Sequence, residues 1–363
     1  MKTLPTSDKY WKKRFELKEQ ARNTQTKEYL KELQKEYRAA LESINKDVAL
    51  FYSKYAAENN ITLAKARKLL SSIESQEKLD KLRKLLKSTI NPESGLTVEA
   101  NRLLSRSRLT RLEGLQADLL DELARIENTL QEGVTTHLTK LFKDEYYETI
   151  YEIHKGTGIA AAFNKVPVTL IETTLAYPWS GETYSKRIWN NNYKLVNTLK
   201  QELTQGFIKG DSIPKIAKRL QVKMESGYKE AIRLVNTEAS FICNVASLES
   251  YKECSVEQYE FLTTLDDRTS VVCGDMDGLV VDVDKAETGR NLPPMHINCR
   301  STTVPYFDDA YDERVARSGK KIYNIPGNMS FAEWQKKYCP ESSIWITNDK
   351  GQTLHRDTGE IID

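Results

Sequence analysis

The sequence predicts an α+β protein: a long N-terminal helical arm or bundle, a compact mixed α+β domain, and a short C-terminal tail. Three observations lead there. From Thr6 to Ile90 there is neither Pro nor Gly, the two strongest breakers of regular helix. Apolar residues recur at steps of three and four through much of the first 250 positions, as on one face of a helix. After Cys254 the period drops to two, as in a strand. The boundaries fall near residues 1–145, 146–310 and 311–363.

In the arm, Leu30, Leu33, Tyr37, Leu41, Ile44, Val48, Phe51 and Tyr55 form one apolar stripe. Such a face must be buried, against the chain's own helices or against a partner. Asn59-Asn60 interrupts it, Thr62 is placed to cap a second helix, and Leu63 to Lys87 continues the helical pattern. Asn91-Pro92-Glu93-Ser94-Gly95 ends that stretch. A further helix is expected from about Thr97 to Lys143, with Leu103, Leu104, Leu112, Leu115, Leu119 and Leu120 on its apolar face.

The middle reads as mixed. Tyr177 to Gly181 is a turn, and Trp189 starts a short helical segment. Gly206 to Pro214 reads as a loop feeding a helix, with Asp211 or Ser212 as cap and Pro214 in the first turn. A separate helix then starts near Gly227, with Ile232, Val235, Ala239, Ile242 and Ala246 on one face. Tyr259, Phe261 and Thr263 mark a strand, Asp275 to Gly278 a turn, and Leu279, Val281 and Val283 a second strand. In the tail, Ser330 is placed to cap a short helix bearing Trp334, and the polar end is expected to be loosely held.

Composition narrows the function classes. Lys and Arg number 54 against 52 Asp and Glu, a net +2, too small for bulk charge alone to attract nucleic acid. The basic surplus lies in the first 90 residues, leaving the remainder net acidic. Mean hydropathy is −0.59, and no run approaches the 18 or so apolar residues of a membrane-spanning helix. No membrane partner is expected, nor a signal peptide at Met1 to Arg14. Five cysteines spread over so long a chain suggest reduced thiols or metal ligands rather than a disulfide framework.

The chemistry concentrates in Leu265 to Gly278 and Pro293 to Arg300. Cys273 is followed by His296 and Cys299 in a His-x-x-Cys turn, the thiolate and imidazole donors that zinc prefers. Ser270 stands where a Cys-x-x-Cys pair would have its first cysteine. A fourth ligand would have to be Asp266, Asp275 or Asp277, a distant cysteine, or water. The alternative is that Cys273 and Cys299 are small buried residues and His296 a hydrogen-bonded loop residue.

These residues also carry a resemblance. Asp266, Arg268-Thr269, Cys273, Asp277-Gly278 and Pro293-Pro294-Met295-His296-Ile297-Asn298-Cys299-Arg300 resemble, in order and spacing, the phage Mu F-like head morphogenesis proteins, also called minor capsid proteins. Arg233, Thr237-Glu238 and the stretch from Gly210 to Ala217 fit the same pattern upstream, and Tyr10 to Phe15 is similar to the opening of Gram-positive phage members. Ser270 and Ser301 depart from relatives that carry cysteine there, which weighs against a metal and leaves the fold expectation intact. Arg268, a planar five-donor group, is expected to tie Glu238 to the strand edge.

The resemblance implies a structural, non-enzymatic component of the virion. It would be present in the host cytoplasm during assembly and then in the head interior at the portal vertex, acting on DNA packaging, retention or ejection. The expected partners are the portal protein, contacted through the stripe of the helical arm, and phage DNA, scaffolding or major capsid protein. Two other classes compete. A metal-dependent hydrolase or nuclease would gather Asp266, Asp267, Asp275, Asp277 and His296 around activated water, but no metal-nuclease motif is present. A non-specific DNA binder would use Arg102, Arg106, Arg108 and Arg111 with the basic arm, but interleaved aromatics and a recognition helix are absent. Toxin modules, fused to some relatives of this domain, are not expected in the short stretch after Phe307.

Overall fold

The apolar stripe of the arm runs along α1 (Asp8–Ala57), an unbroken helix because nothing in its sequence interrupts the hydrogen-bond ladder. The computed structural model describes residues 8–57, 70–157 and 165–307, and four short strands beyond them. The chain divides into two compact units, each built from separated segments. A helical unit comprises Lys27–His137 and Glu182–Val235; a sheet unit comprises Met1–Thr26, Leu138–Gly181 and Asn236–Asp363. The sequence suggested consecutive segments instead. Helices α1, α4 (Arg111–Thr157) and α7 (Ile213–Glu253) each supply residues to both units.

In the helical unit, Leu30, Leu33, Tyr37, Ile44 and Val48 are buried, and Leu41 and Phe51 are half-buried; the side chain of Tyr55 lies outside the described residues. Tyr37 packs on Tyr228 at 5.6 Å between ring centroids, and Phe51 on Phe207 at 5.1 Å. The Tyr228 hydroxyl donates to the Leu30 carbonyl at 2.8 Å. The stripe is therefore covered by the chain's own helices. This corrects the expectation that it meets the portal: a face whose Val48 is 0% exposed offers nothing to a partner.

Two helices expected to be continuous are broken. The chain turns at Ser71 to Ser75 before α2 (Gln76–Thr89), and at Ser105 to Thr110 between α3 (Leu96–Leu104) and α4. The two breaks pair with each other: Ile73 bridges Thr110, Glu74 N–H donates to Leu109 at 2.8 Å, and Arg111 N–H to Ser72 at 2.9 Å. Each following helix is capped. The Ser75 hydroxyl accepts from Lys78 N–H, and Thr110 and Glu113 satisfy each other's backbone N–H groups at 3.2 and 2.9 Å, a capping box. Expected Thr62 lies outside the described residues.

The remaining corrections lengthen helices. Trp189 sits inside α6 (Tyr184–Lys209), capped by Thr183 and closed by Gly210 at φ 68°, the left-handed conformation glycine adopts without strain. Gly206 is thus helical rather than in a loop, and Gly227 lies within α7 rather than at a helix start. A Cβ on Gly227 would stand 2.7 Å from Leu195 Cδ2, and one on Gly206 2.7 Å from Ile216 Cγ1. Both glycines let neighbouring helices approach closely.

In the sheet unit, α5 (Val168–Leu175) precedes the Tyr177 to Gly181 turn. The antiparallel sheet has the order β2 (Val280–Asp282), β1 (Gln258–Leu262), β3 (Thr302–Tyr306). Tyr259 pairs with Val281 on one side and Pro305 on the other. Trp11 and Phe15 of α1, Ile153 of α4 and Tyr251 of α7 bury Tyr259, Val283 and Val304 in one core. Glu260, on the polar alternation of β1, is buried too; Lys12, 1% exposed, meets it at 2.9 Å. A second buried pair joins Lys18 to Glu145 at 2.7 Å, where Glu145 also accepts from Ser247 at 2.6 Å.

Beyond Tyr306 the tail holds more regular structure than expected: β4 (Glu313–Ser318) pairs with β5 (Lys321–Pro326), and β6 (Trp345–Thr347) with β7 (Thr353–His355). Ser330 and Trp334 lie outside the described residues. No helix among the described residues is long and apolar enough to cross a membrane.

Candidate functional site

The site sits where the segment after β1 meets the turn before β3. Asp266 starts it: its carboxylate accepts the Arg268 N–H at 3.0 Å and meets both terminal nitrogens of Arg300 at 2.5 and 2.6 Å. Thr269 donates to the Thr264 carbonyl. Ser270 then caps α8 (Val271–Met276), accepting from Cys273 N–H at 3.2 Å. Where a turn was expected at Asp275 to Gly278, this short helix leads into the turn. Asp277 accepts from Thr263 N–H at 2.9 Å, and Gly278, at φ 80°, donates to the Phe261 carbonyl at 2.9 Å.

The second strand of chain arrives as the His-x-x-Cys turn. Cys299 N–H donates to the His296 carbonyl at 3.2 Å, and Asn298 takes φ 58° to close the turn. The Thr237 hydroxyl on α7 accepts from Asn298 N–H at 3.0 Å, and Thr264 donates to the Arg300 carbonyl at 3.1 Å. These bonds fix Cys299 and His296 against α8.

The result brings together the three residues singled out for metal chemistry. Cys273 Sγ lies 3.6 Å from Cys299 Sγ and 3.2 Å from His296 Nε2, while Ser270 Oγ lies 2.8 Å from the same nitrogen. Both sulfurs are buried with Phe261, Met276 and Met295 around them. His296 Nδ1 lies 2.8 Å from the Ile297 carbonyl. The hydrogen bond from Cys273, with help from His296 beside it, holds the Cys299 thiol well below its usual range despite burial. Cys273, the donor of that pair, is pushed up by the bond and by burial. Burial would lower His296, but its bond to Cys299 outweighs that and raises it.

The carboxylates do not join. Among the described residues, Cys273, His296 and Cys299 are the only group of three or more potential ligands drawn together. Asp266 is spent on Arg300, and Asp277 on Thr263 N–H. The gathering of Asp266, Asp267, Asp275, Asp277 and His296 that the competing hydrolase reading requires does not form among the described residues, and two of these carboxylates, Asp266 and Asp277, accept backbone N–H groups of the turns instead.

The Arg268 expectation is corrected as well. Its side chain is 74% exposed and comes only within 3.7 Å of Asp266; Arg300 supplies the planar clamp instead. Glu238 accepts from the Trp179 indole at 3.1 Å, and Trp179 stacks on Phe241 at 5.5 Å. Arg233 lies 3.5 Å from Glu230 on its own helix. In the helical unit, Arg102 meets Glu99 at 2.7 Å and Arg106 meets Glu113, so two of the four candidate DNA contacts already face carboxylates. Arg108 is exposed and Arg111 half-buried. Sequence reasoning missed the Lys12–Glu260 pair, since a buried lysine carries no periodic signal.

Residues 197–304 match the family model described as Phage Mu protein F like protein. Over 266 residues the chain is 24% identical to the NAD(+)–arginine ADP-ribosyltransferase EFV of Enterococcus faecalis, covering 68% of this chain and 54% of that protein. It thus spans about half the length of that relative. Over 211 residues it is 20% identical to the minor head protein GP7 of Bacillus phage SPP1, covering 54% of this chain and 68% of that protein. No solved structure matches. The residues from Gly210 to Arg300 that carry the motif all lie inside the matched stretch, so in this part the chain is similar to the phage Mu protein F-like family.

Proposed function

We propose that this protein is a minor head protein of a tailed phage, built into the procapsid at the portal vertex and acting on DNA packaging, retention or ejection. The observation that carries the reading is the use made of the motif residues. Asp266, Thr269, Asp277 and Arg300 tie loops to one another and to the backbone, an architectural role that agrees with the family and with the likeness to a minor head protein. Partner contact then falls to surfaces other than the buried α1 stripe. Co-expression with the portal protein of the same phage, followed by size exclusion, tests the reading: co-elution is expected, and separate elution of two folded proteins would refute portal association.

The likeness to an ADP-ribosyltransferase favours a second reading, transfer of ADP-ribose from NAD+ to arginine. Incubation with labelled NAD+ and an arginine-rich acceptor decides between them. The head-protein reading expects no label on the acceptor.

A further inference from the structure

We infer that Cys273, His296 and Cys299 form a zinc-binding centre that staples α8 to the His-x-x-Cys turn, with Ser270 or a solvent oxygen as fourth donor. The reading is independent of portal association, since it concerns how the sheet unit is held.

The donor spacing fits the metal. Tetrahedral zinc, with bonds near 2.3 Å to sulfur and 2.1 Å to nitrogen, holds two sulfurs about 3.8 Å apart and a sulfur and nitrogen about 3.6 Å apart. The observed separations are 3.6 Å for Cys273 to Cys299 and 3.2 Å for Cys273 to His296. A small outward shift of the imidazole seats the ion between all three. A disulfide would need the sulfurs at about 2.05 Å and would leave the histidine with no reason to converge on them.

The surroundings prepare the histidine as a ligand. With Nδ1 2.8 Å from the Ile297 carbonyl, the ring proton sits on Nδ1, and the lone pair on Nε2 faces the sulfurs. That arrangement, in which the second ring nitrogen donates to a carbonyl, recurs behind metal-bound histidines. Two thiolates and an imidazole select zinc over the oxygen-seeking Mg2+ and Ca2+. No carboxylate belongs to the group among the described residues, so none is placed to act as a base on a metal-bound water, and the centre is structural. Ser270 Oγ, 2.8 Å from Nε2, marks the fourth corner.

The experiment uses the full chain, purified in reductant, with zinc counted by mass spectrometry and replaced by Co2+. About one zinc per chain is expected, together with the strong visible bands of tetrahedral cobalt and a sulfur-to-cobalt charge-transfer band in the near ultraviolet. Cys273→Ser and Cys299→Ser should lose both. Those variants could misfold, so Ser270→Cys provides a gain-of-function arm: a third thiolate at the fourth corner should slow zinc loss to a chelator severalfold. Folded, reduced wild-type protein with no bound zinc and no cobalt bands would overturn the centre. Unchanged chelator kinetics in folded Ser270→Cys would overturn the placement of the fourth donor.

Discussion

Arg300 meets Asp266 side-on, nitrogen to oxygen at 2.5 and 2.6 Å, and so joins the segment after β1 to the residue following Cys299. Burial pushes the Asp266 carboxyl up, but the Arg300 guanidinium more than offsets it and holds the group below the usual carboxylate range. Lysine cannot reproduce the two-pronged geometry. Arg300→Lys should therefore cost about 1–3 kcal/mol, the range for a charged hydrogen bond lost at a partly buried site. Urea unfolding of the purified variant measures it, and an unchanged midpoint would show that the clamp contributes little.

Lys18 and Glu145 give a sharper test, because both are buried. Removing Lys18 leaves the buried Glu145 carboxylate to Arg22 and Ser247, so Lys18→Met should destabilise by up to about 3–5 kcal/mol, while Lys18→Met with Glu145→Leu should recover part of that loss. Burial raises the Glu145 carboxyl, but Lys18 and Arg22 lower it further, to a net value below its ordinary one. A depressed folded value contributes stability that is complete above the unfolded value of about 4.3 and disappears as the pH falls through the folded value. The gap between wild type and Lys18→Met should accordingly narrow on acidification, as followed by denaturant midpoints across a pH series.

Gly278 stands at φ 80° with room for a methyl group; the nearest atom to an added Cβ would be Glu260 Oε1 in ordinary contact at 3.7 Å. Any penalty is then one of backbone conformation alone. Gly278→Ala should cost about 1–2 kcal/mol, and Gly278→Asn less, since asparagine tolerates this region better. Thermal midpoints of the two variants should rank in that order.

The buried stripe of α1 makes a prediction about partners. Val48→Asp places a carboxylate where no water reaches, at a cost of several kcal/mol. The expected outcome is loss of helical circular dichroism or of solubility. A folded, helical variant that fails only to co-elute with the portal would restore the stripe as a docking face.

How much was legible in the sequence differs by element. The stripe from Leu30 to Phe51 was legible because a solvent-facing helix writes its burial at a period of 3.6. The break at Thr110 is also written, as Thr-x-x-Glu at Thr110 and Glu113, but it lies inside an otherwise helical pattern that masks it. Gly206 and Gly227 misled for a physical reason. Glycine marks a breaker when it is exposed, yet here it admits Ile216 and Leu195 against the helix backbone, and one sequence does not show the neighbour. At the site, soft ligands at metal spacing identified Cys273, His296 and Cys299, whose convergence the fold bears out. That Arg300 clamps Asp266, while Arg268, expected to hold Glu238, points to solvent, depends on which side of a turn faces outward, and local spacing does not encode that.

The matched stretch begins within α6 of the helical unit, crosses at Asn236, and continues in the sheet unit. The sheet core, meanwhile, closes only with Trp11 and Phe15 from the far end of the chain. Recombination between phages with a breakpoint at either edge of that stretch would join half-cores of different ancestry, leaving mismatched volumes around Tyr251 and Tyr259. Successful exchange should therefore move the gene from its first helix through β3 as one block of inheritance, and chimaeras cut at residue 197 should express poorly even when both parents express well.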